Sequence, residues 1–196
     1  MEQNEMTPEK SLKLMAEVIN KSRKDLEKNS GTPLLFWGIV VAVTAMVVEF
    51  LLSKTGNQAW NYLWFAIPVV GGALSPVVLK KRTETRAKNF LGEVIGYIWL
   101  LYGVITFLLA LIIVFAIPGL KPFLTLATVL LLGFATSLSG IILKSNIIVG
   151  SGIVVALGGV ILLSMLDGAG TIALTIGLAV IIALIIPGIV LNLKSK

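Results

Sequence analysis

The chain has 196 residues, 57% of them apolar and only 13% charged, with a mean hydropathy of +0.98. A soluble domain is roughly 45–50% apolar and about 25% charged, so a single water-excluding core has no room for this much apolar surface. There is no cysteine and no histidine. That excludes disulfides, thiolate metal sites and cysteine nucleophiles, and it removes the commonest general base, metal ligand and pH switch.

The first 30 residues carry six acidic and six basic side chains. They lack the short basic start, apolar stretch and small-residue site of a cleavable signal peptide, and none is expected. Thr7-Pro8-Glu9 reads as a helix start: a hydroxyl N-cap, proline at the first helical position and an acid facing the positive end of the helix dipole. Leu12, Met15, Ile19 and Leu26, widened by Leu14 and Val18, form an apolar stripe at helical spacing. Asn29-Ser30-Gly31 followed by Pro33 predicts a stop. Residues 8–28 are therefore expected to form a separate cytoplasmic amphipathic helix.

A spanning helix needs roughly 20 mainly apolar residues. Six stretches qualify: Leu34–Leu52, Trp60–Leu79, Val94–Ile117, Phe123–Leu143, Ile147–Leu166 and Gly170–Leu191. The short links between them impose antiparallel neighbours. The expected fold is an all-α polytopic membrane bundle of six transmembrane helices. It divides into the amphipathic helix of residues 1–30 and a transmembrane domain of residues 31–196.

The basic residues sort by side. Lys10, Lys13, Lys21, Arg23, Lys24, Lys28, Lys80, Lys81, Arg82, Arg86, Lys88, Lys144, Lys194 and Lys196 fall on the side of the termini, and only Lys54 and Lys121 on the other. Because basic loops stay in the cytoplasm, both termini are expected there, in the cytoplasmic (inner) membrane of a bacterium. Removing or adding one span would scramble this fourteen-to-two division. The net charge of +6 thus reflects topology, and no nucleic-acid partner is expected. Trp60, Tyr62 and Trp64, Phe36 and Trp37, and Tyr97, Trp99 and Tyr102 fit aromatic belts near the headgroups.

The spans pair into three similar hairpins. Gly38 precedes Ser75 by 37 residues, Gly103 precedes Ser139 by 36, and Gly150 precedes Pro187 by 37. The pattern is compatible with a triplicated hairpin about an axis along the membrane normal, and equally with chance likeness of apolar segments.

Chemistry-bearing residues are few. Glu49 lies in the outer part of the first span. It is either a proton- or cation-handling site or an interface carboxylate below the headgroups, with Lys54 as a candidate partner. Glu93 reads as a boundary charge and Asp167-Gly168 as turn chemistry. Lys80, Lys81, Arg82, Arg86 and Lys88 form a compact basic cluster suited to anionic lipid headgroups. Pro68, Gly71, Gly72, Pro76 and Pro187-Gly188 interrupt spans. Gly133/Ser137, Gly152/Ala156 and Ala173/Gly177 are small-xxx-small pairs suited to close packing. No catalytic, cofactor-binding or metal-binding constellation is present, and an enzyme is not expected.

Phe36-Trp37-Gly38, Trp64 with Ile67-Pro68-Val69-Val70-Gly71-Gly72, the Lys80-Lys81 exit and the aromatic third span resemble a family of small, uncharacterised multi-spanning membrane proteins of Bacteroidetes-type bacteria. The likeness is best over about residues 10–110. It implies a location and a fold, with no catalytic residue to carry over. Two functions follow as expectations: a structural, regulatory or partner-binding protein acting through its N-terminal helix (residues 8–28), with a second copy of the chain or a cytoplasmic protein as partner, or a small oligomeric transporter or channel.

Overall fold

The computed structural model describes residues 8–83, 90–165 and 169–194. Among them there is no strand, and there are seven α-helices: α1 (Pro8–Thr55), α2 (Ala66–Thr83), α3 (Phe90–Leu111), α4 (Lys121–Leu143), α5 (Asn146–Met165), α6 (Ala169–Val180) and α7 (Ile186–Lys194). A 3₁₀ segment, Gln58–Phe65, leads into α2, and a π turn, Ile181–Ile185, joins α6 to α7. Six stretches are long and apolar enough to cross a membrane: Ser30–Thr55, Gln58–Val78, Leu91–Ala116, Phe123–Leu143, Asn146–Met165 and Ile172–Leu193. They agree with the sequence-based spans to within a few residues.

The first helix departs from expectation. It runs unbroken for 48 residues through Ser30, Gly31 and Pro33, a length of about 72 Å at 1.5 Å per residue. The predicted stop is not there, and the amphipathic segment is continuous with the first span. Gly31 is not a left-handed cap; among the described glycines only Gly56 has a positive φ. Gly31 is instead the point where α7 crosses α1. A Cβ built there would lie 2.8 Å from the Gly188 carbonyl oxygen and 2.7 Å from Asn192 Cγ. The Ser30 hydroxyl donates to the Leu26 carbonyl at 2.6 Å. Pro33 removes one N–H from the ladder, and packing against α7 holds the turn around it.

Helices in lipid gain little from burying apolar surface, so close approach of backbones governs which of them pair. The tightest pair is α4 with α5. A Cβ on Gly133 would sit 2.6 Å from the Gly152 carbonyl oxygen, one on Gly140 would sit 2.6 Å from the Val149 amide nitrogen, and one on Gly152 would overlap Ser137 Oγ. The Ser137 hydroxyl also donates across to the Val149 carbonyl, at 3.3 Å. The Gly133/Ser137 and Gly152/Ala156 pairs thus face each other. α1 is the other organiser and lies along α6 and α7.

Three apolar clusters hold the bundle. At the end where α7 finishes, Leu26, Leu143, Ile148 and Leu191 join α1, α4, α5 and α7. In the middle, Val129, Leu132, Val155, Val180 and Leu184 are packed by Trp99 and Tyr102. At the far end, Val48, Leu52 and Ala173 are covered by Trp60, Leu63 and Trp64. Trp60 and Trp64 therefore also pack the bundle, beyond the anchoring role expected of them, and the Trp60 ring N–H donates to Thr55 Oγ1 at 2.9 Å. Tyr62, Phe65, Phe107 and Phe115 form a ring cluster that ties the 3₁₀ segment to α3 and to the π turn, Ile112–Ala116, that follows it.

Pro76, expected to interrupt its span, does not: α2 continues through it. Before Pro187, which lacks an N–H and crowds the carbonyl four residues back, the helix widens: the Ile186 N–H bonds the Ile181 carbonyl across five residues.

Candidate functional site

Glu49 lies on α1 six residues before the helix ends, about 9 Å along the axis. Its side chain enters a groove of about 440 Å³ between α1 and α6. Small residues form the floor: Ala42 and Ala45 from α1, with Ala173 and Gly177 from α6. Gly177 and Ala45 come so close that a Cβ on the glycine would lie 3.4 Å from the alanine Cβ. The rim is made of larger, exposed side chains, Met46, Phe50, Leu174 and Leu178. Ile181, the first residue of the π turn, lines one end.

Glu49 Oε2 is shielded from solvent and has no hydrogen-bond partner among the described residues. The other polar side chain lining the groove, that of Ser53, donates its hydroxyl to the Phe50 carbonyl at 2.9 Å. Lys54, the partner suggested by sequence, makes no ion pair with Glu49. Five residues along a helix place it about 140° around the axis, so the two side chains leave α1 in different directions. The candidate Glu49–Lys54 pair is thus not formed, and a lone carboxyl group faces an apolar groove.

The basic cluster is only partly visible. Lys80, Lys81 and Arg82 lie in the last turns of α2, whereas Arg86 and Lys88, like Asp167, lie outside the described residues. Glu93 is exposed in the first turn of α3, where a carboxylate complements the helix dipole. In α2, a Cβ on Gly71 would run into the Trp37 ring, while Gly72 faces open space. The α2 glycine pair therefore divides into one packing position and one exposed position.

Glu49 stands out in the sequence, but the opposite wall does not. Leu174, Gly177 and Leu178 stand more than 120 residues away, and no local pattern links them to α1. The signal was present as the Ala173/Gly177 pair, read only as packing. Thr175 was also overlooked: it is buried on α6 and its hydroxyl oxygen has no partner among the described residues.

The groove offers one carboxyl group on apolar walls. Among the described residues, no three His, Cys, Asp or Glu side chains converge to hold a metal. No family model, curated protein or solved structure matches the chain.

Proposed function

We infer that the chain is a non-enzymatic protein of a bacterial cytoplasmic membrane, with both termini in the cytoplasm. In this reading it acts as a structural or regulatory component that binds a partner, or a second copy, through the cytoplasmic extension of α1. One observation carries the reading. Leu12, Met15 and Val18 are 68%, 62% and 61% exposed on a helix that projects beyond the span beginning at Ser30. An apolar stripe in water is an interaction surface, and the seven-residue spacing of Leu12, Ile19 and Leu26 suits a helix–helix seam. Leu26 already uses this spacing against the bundle, which leaves the outer two heptad positions open.

The acids and bases of this segment cancel, so charge alone does not hold it on anionic lipid. Lipid contact is assigned instead to the basic run that starts at Lys80, Lys81 and Arg82 and continues to Arg86 and Lys88. The fourteen-to-two division of basic residues supports the orientation. The near-equal spacing of the three hairpins supports descent from one repeated unit. The bacterial setting is proposed on the resemblance of the motifs in residues 10–110 to small Bacteroidetes-type membrane proteins.

The test replaces Met15 and Ile19 by Glu, leaving Leu26 in the core, and measures oligomer size and co-purifying proteins from mild detergent. A smaller oligomer or the loss of a co-purifying protein supports the reading. If both stay as in the parent, the reading fails.

A second reading is a small oligomeric transporter or channel. The π turn before Pro187 favours it, because Ile181 at its start also lines the Glu49 groove, and interrupted helices often border transport sites. Flux in liposomes that Glu49→Gln abolishes would support it. The absence of flux for ions and common metabolites would count against it.

A further inference from the structure

Glu49 poses a chemical problem that the bundle does not solve internally. Its carboxyl group lies within the Ser30–Thr55 span. One oxygen is shielded and unpartnered among the described residues. The hydroxyl of Ser53 is committed to the Phe50 carbonyl, and Lys54 leaves the helix in another direction. An unpaired carboxylate in a medium of low dielectric is costly. No described residue pairs the shielded oxygen, and a positive or proton-bearing group from outside the chain would do so.

The shape of the groove narrows the choice. Its floor is Ala and Gly, which set the depth, and its volume of about 440 Å³ falls within the roughly 300–1,000 Å³ range of small-molecule sites. A bare metal ion does not suit it, since hard cations take about six to eight oxygen ligands and the walls supply one carboxyl group and one hydroxyl. A neutral hydrocarbon would match the walls and leave the carboxylate unpaired. An anion would be repelled. What matches both features is a single positive charge on an apolar body.

We propose that the α1–α6 groove binds a free lipophilic ammonium cation, with Glu49 as its counter-ion and the apolar rim holding its hydrocarbon part. This is a statement about binding and stands apart from both functional readings. A cation that is bound but never moved would leave the transport reading unsupported and the site intact.

The full-length protein is placed in vesicles of digalactosyl diacylglycerol, a lipid with neither net charge nor ammonium group. Benzyltrimethylammonium and its uncharged isostere neopentylbenzene are titrated by equilibrium dialysis, with empty vesicles subtracted. Saturable binding of the cation is expected, weakened about ten-fold or more by Glu49→Gln, the loss of one charge-assisted contact. Neopentylbenzene should bind the parent and Glu49→Gln alike, which also shows that the variant's groove is intact. Leu178→Trp, which fills the groove from its exposed rim, should weaken both probes. Non-saturable cation binding, or equal cation affinity in Glu49→Gln, overturns the proposal. So does a loss of cation affinity in phosphatidylcholine vesicles, because a lipid headgroup would then be the occupant.

Discussion

Gly31 and Gly188 face each other across the crossing of α1 and α7: a Cβ on Gly31 would lie 2.8 Å from the Gly188 carbonyl oxygen, and a Cβ on Gly188 would lie 3.0 Å from that of Gly31. Backbone cannot yield as a flexible side chain can, so an added methyl must push the helices apart. Gly31→Ala and Gly188→Ala are each expected to destabilise the protein by about 1–3 kcal/mol, the usual cost of overpacking. Unfolding in mixed micelles by denaturing detergent measures this. The two sites share one contact, so the double variant should cost less than the sum of the singles. Additive losses would show that the crossing is not shared.

The α4–α5 pair gives a matched comparison on one helix. A Cβ on Gly152 would meet the Gly133 carbonyl oxygen at 2.6 Å, whereas nothing lies within 4 Å of a Cβ on Gly158. Gly152→Ala should therefore destabilise. Gly158→Ala should be neutral or stabilising by about 0.5–1 kcal/mol, because alanine loses less backbone entropy than glycine in a helix. The same unfolding assay separates them, and equal effects would contradict the close packing described for Gly152.

The continuity of α1 is testable because the chain has no cysteine. Spin labels on Val18→Cys and Ile39→Cys, both exposed sites, are 21 residues apart. A straight helix separates their backbones by about 32 Å, which pulsed electron resonance can measure. A break at residues 29–33 would shorten the mean distance and broaden its distribution.

The stop at Asn29-Ser30-Gly31 was misread for a physical reason. Locally, Gly followed by Pro marks a helix end, and only the distant Gly188 shows that Gly31 serves a crossing. The six spans were legible because each is a long apolar run whose length is dictated by the bilayer. Glu49 was legible as a charge in such a run. The groove was not, because its other wall is built by Gly177 and Leu178, brought to α1 by the packing of α6. The same holds for Lys54, whose nearness in sequence suggested a pair that helical geometry prevents.

The link between α4 and α5 carries a small correctable strain. Lys144 has φ +53°, the left-handed region, and closes α4 with the Ser145 N–H bonded to the Gly140 carbonyl at 2.9 Å. Glycine adopts this conformation without the Cβ clash, which costs other residues about 1–2 kcal/mol. Lys144→Gly should therefore raise the unfolding midpoint. A lower midpoint would mean that the lysine side chain contributes more than the backbone strain removes.

The orientation rests on charge, and single cysteines can read it directly. Lys54 and Lys144 are both exposed, at opposite ends of the bundle. If basic loops stay inside, Lys54→Cys in spheroplasts should react fully with a membrane-impermeant maleimide, and Lys144→Cys should react only after permeabilisation. The reverse pattern would invert the topology and move the α1 extension, with its exposed Leu12 and Met15, away from any cytoplasmic partner. Equal labelling of both sites in intact spheroplasts would mean that the fourteen-to-two bias does not set a single orientation. The Glu49 groove test would still be interpretable in that case, because it compares the parent with Glu49→Gln in vesicles prepared alike.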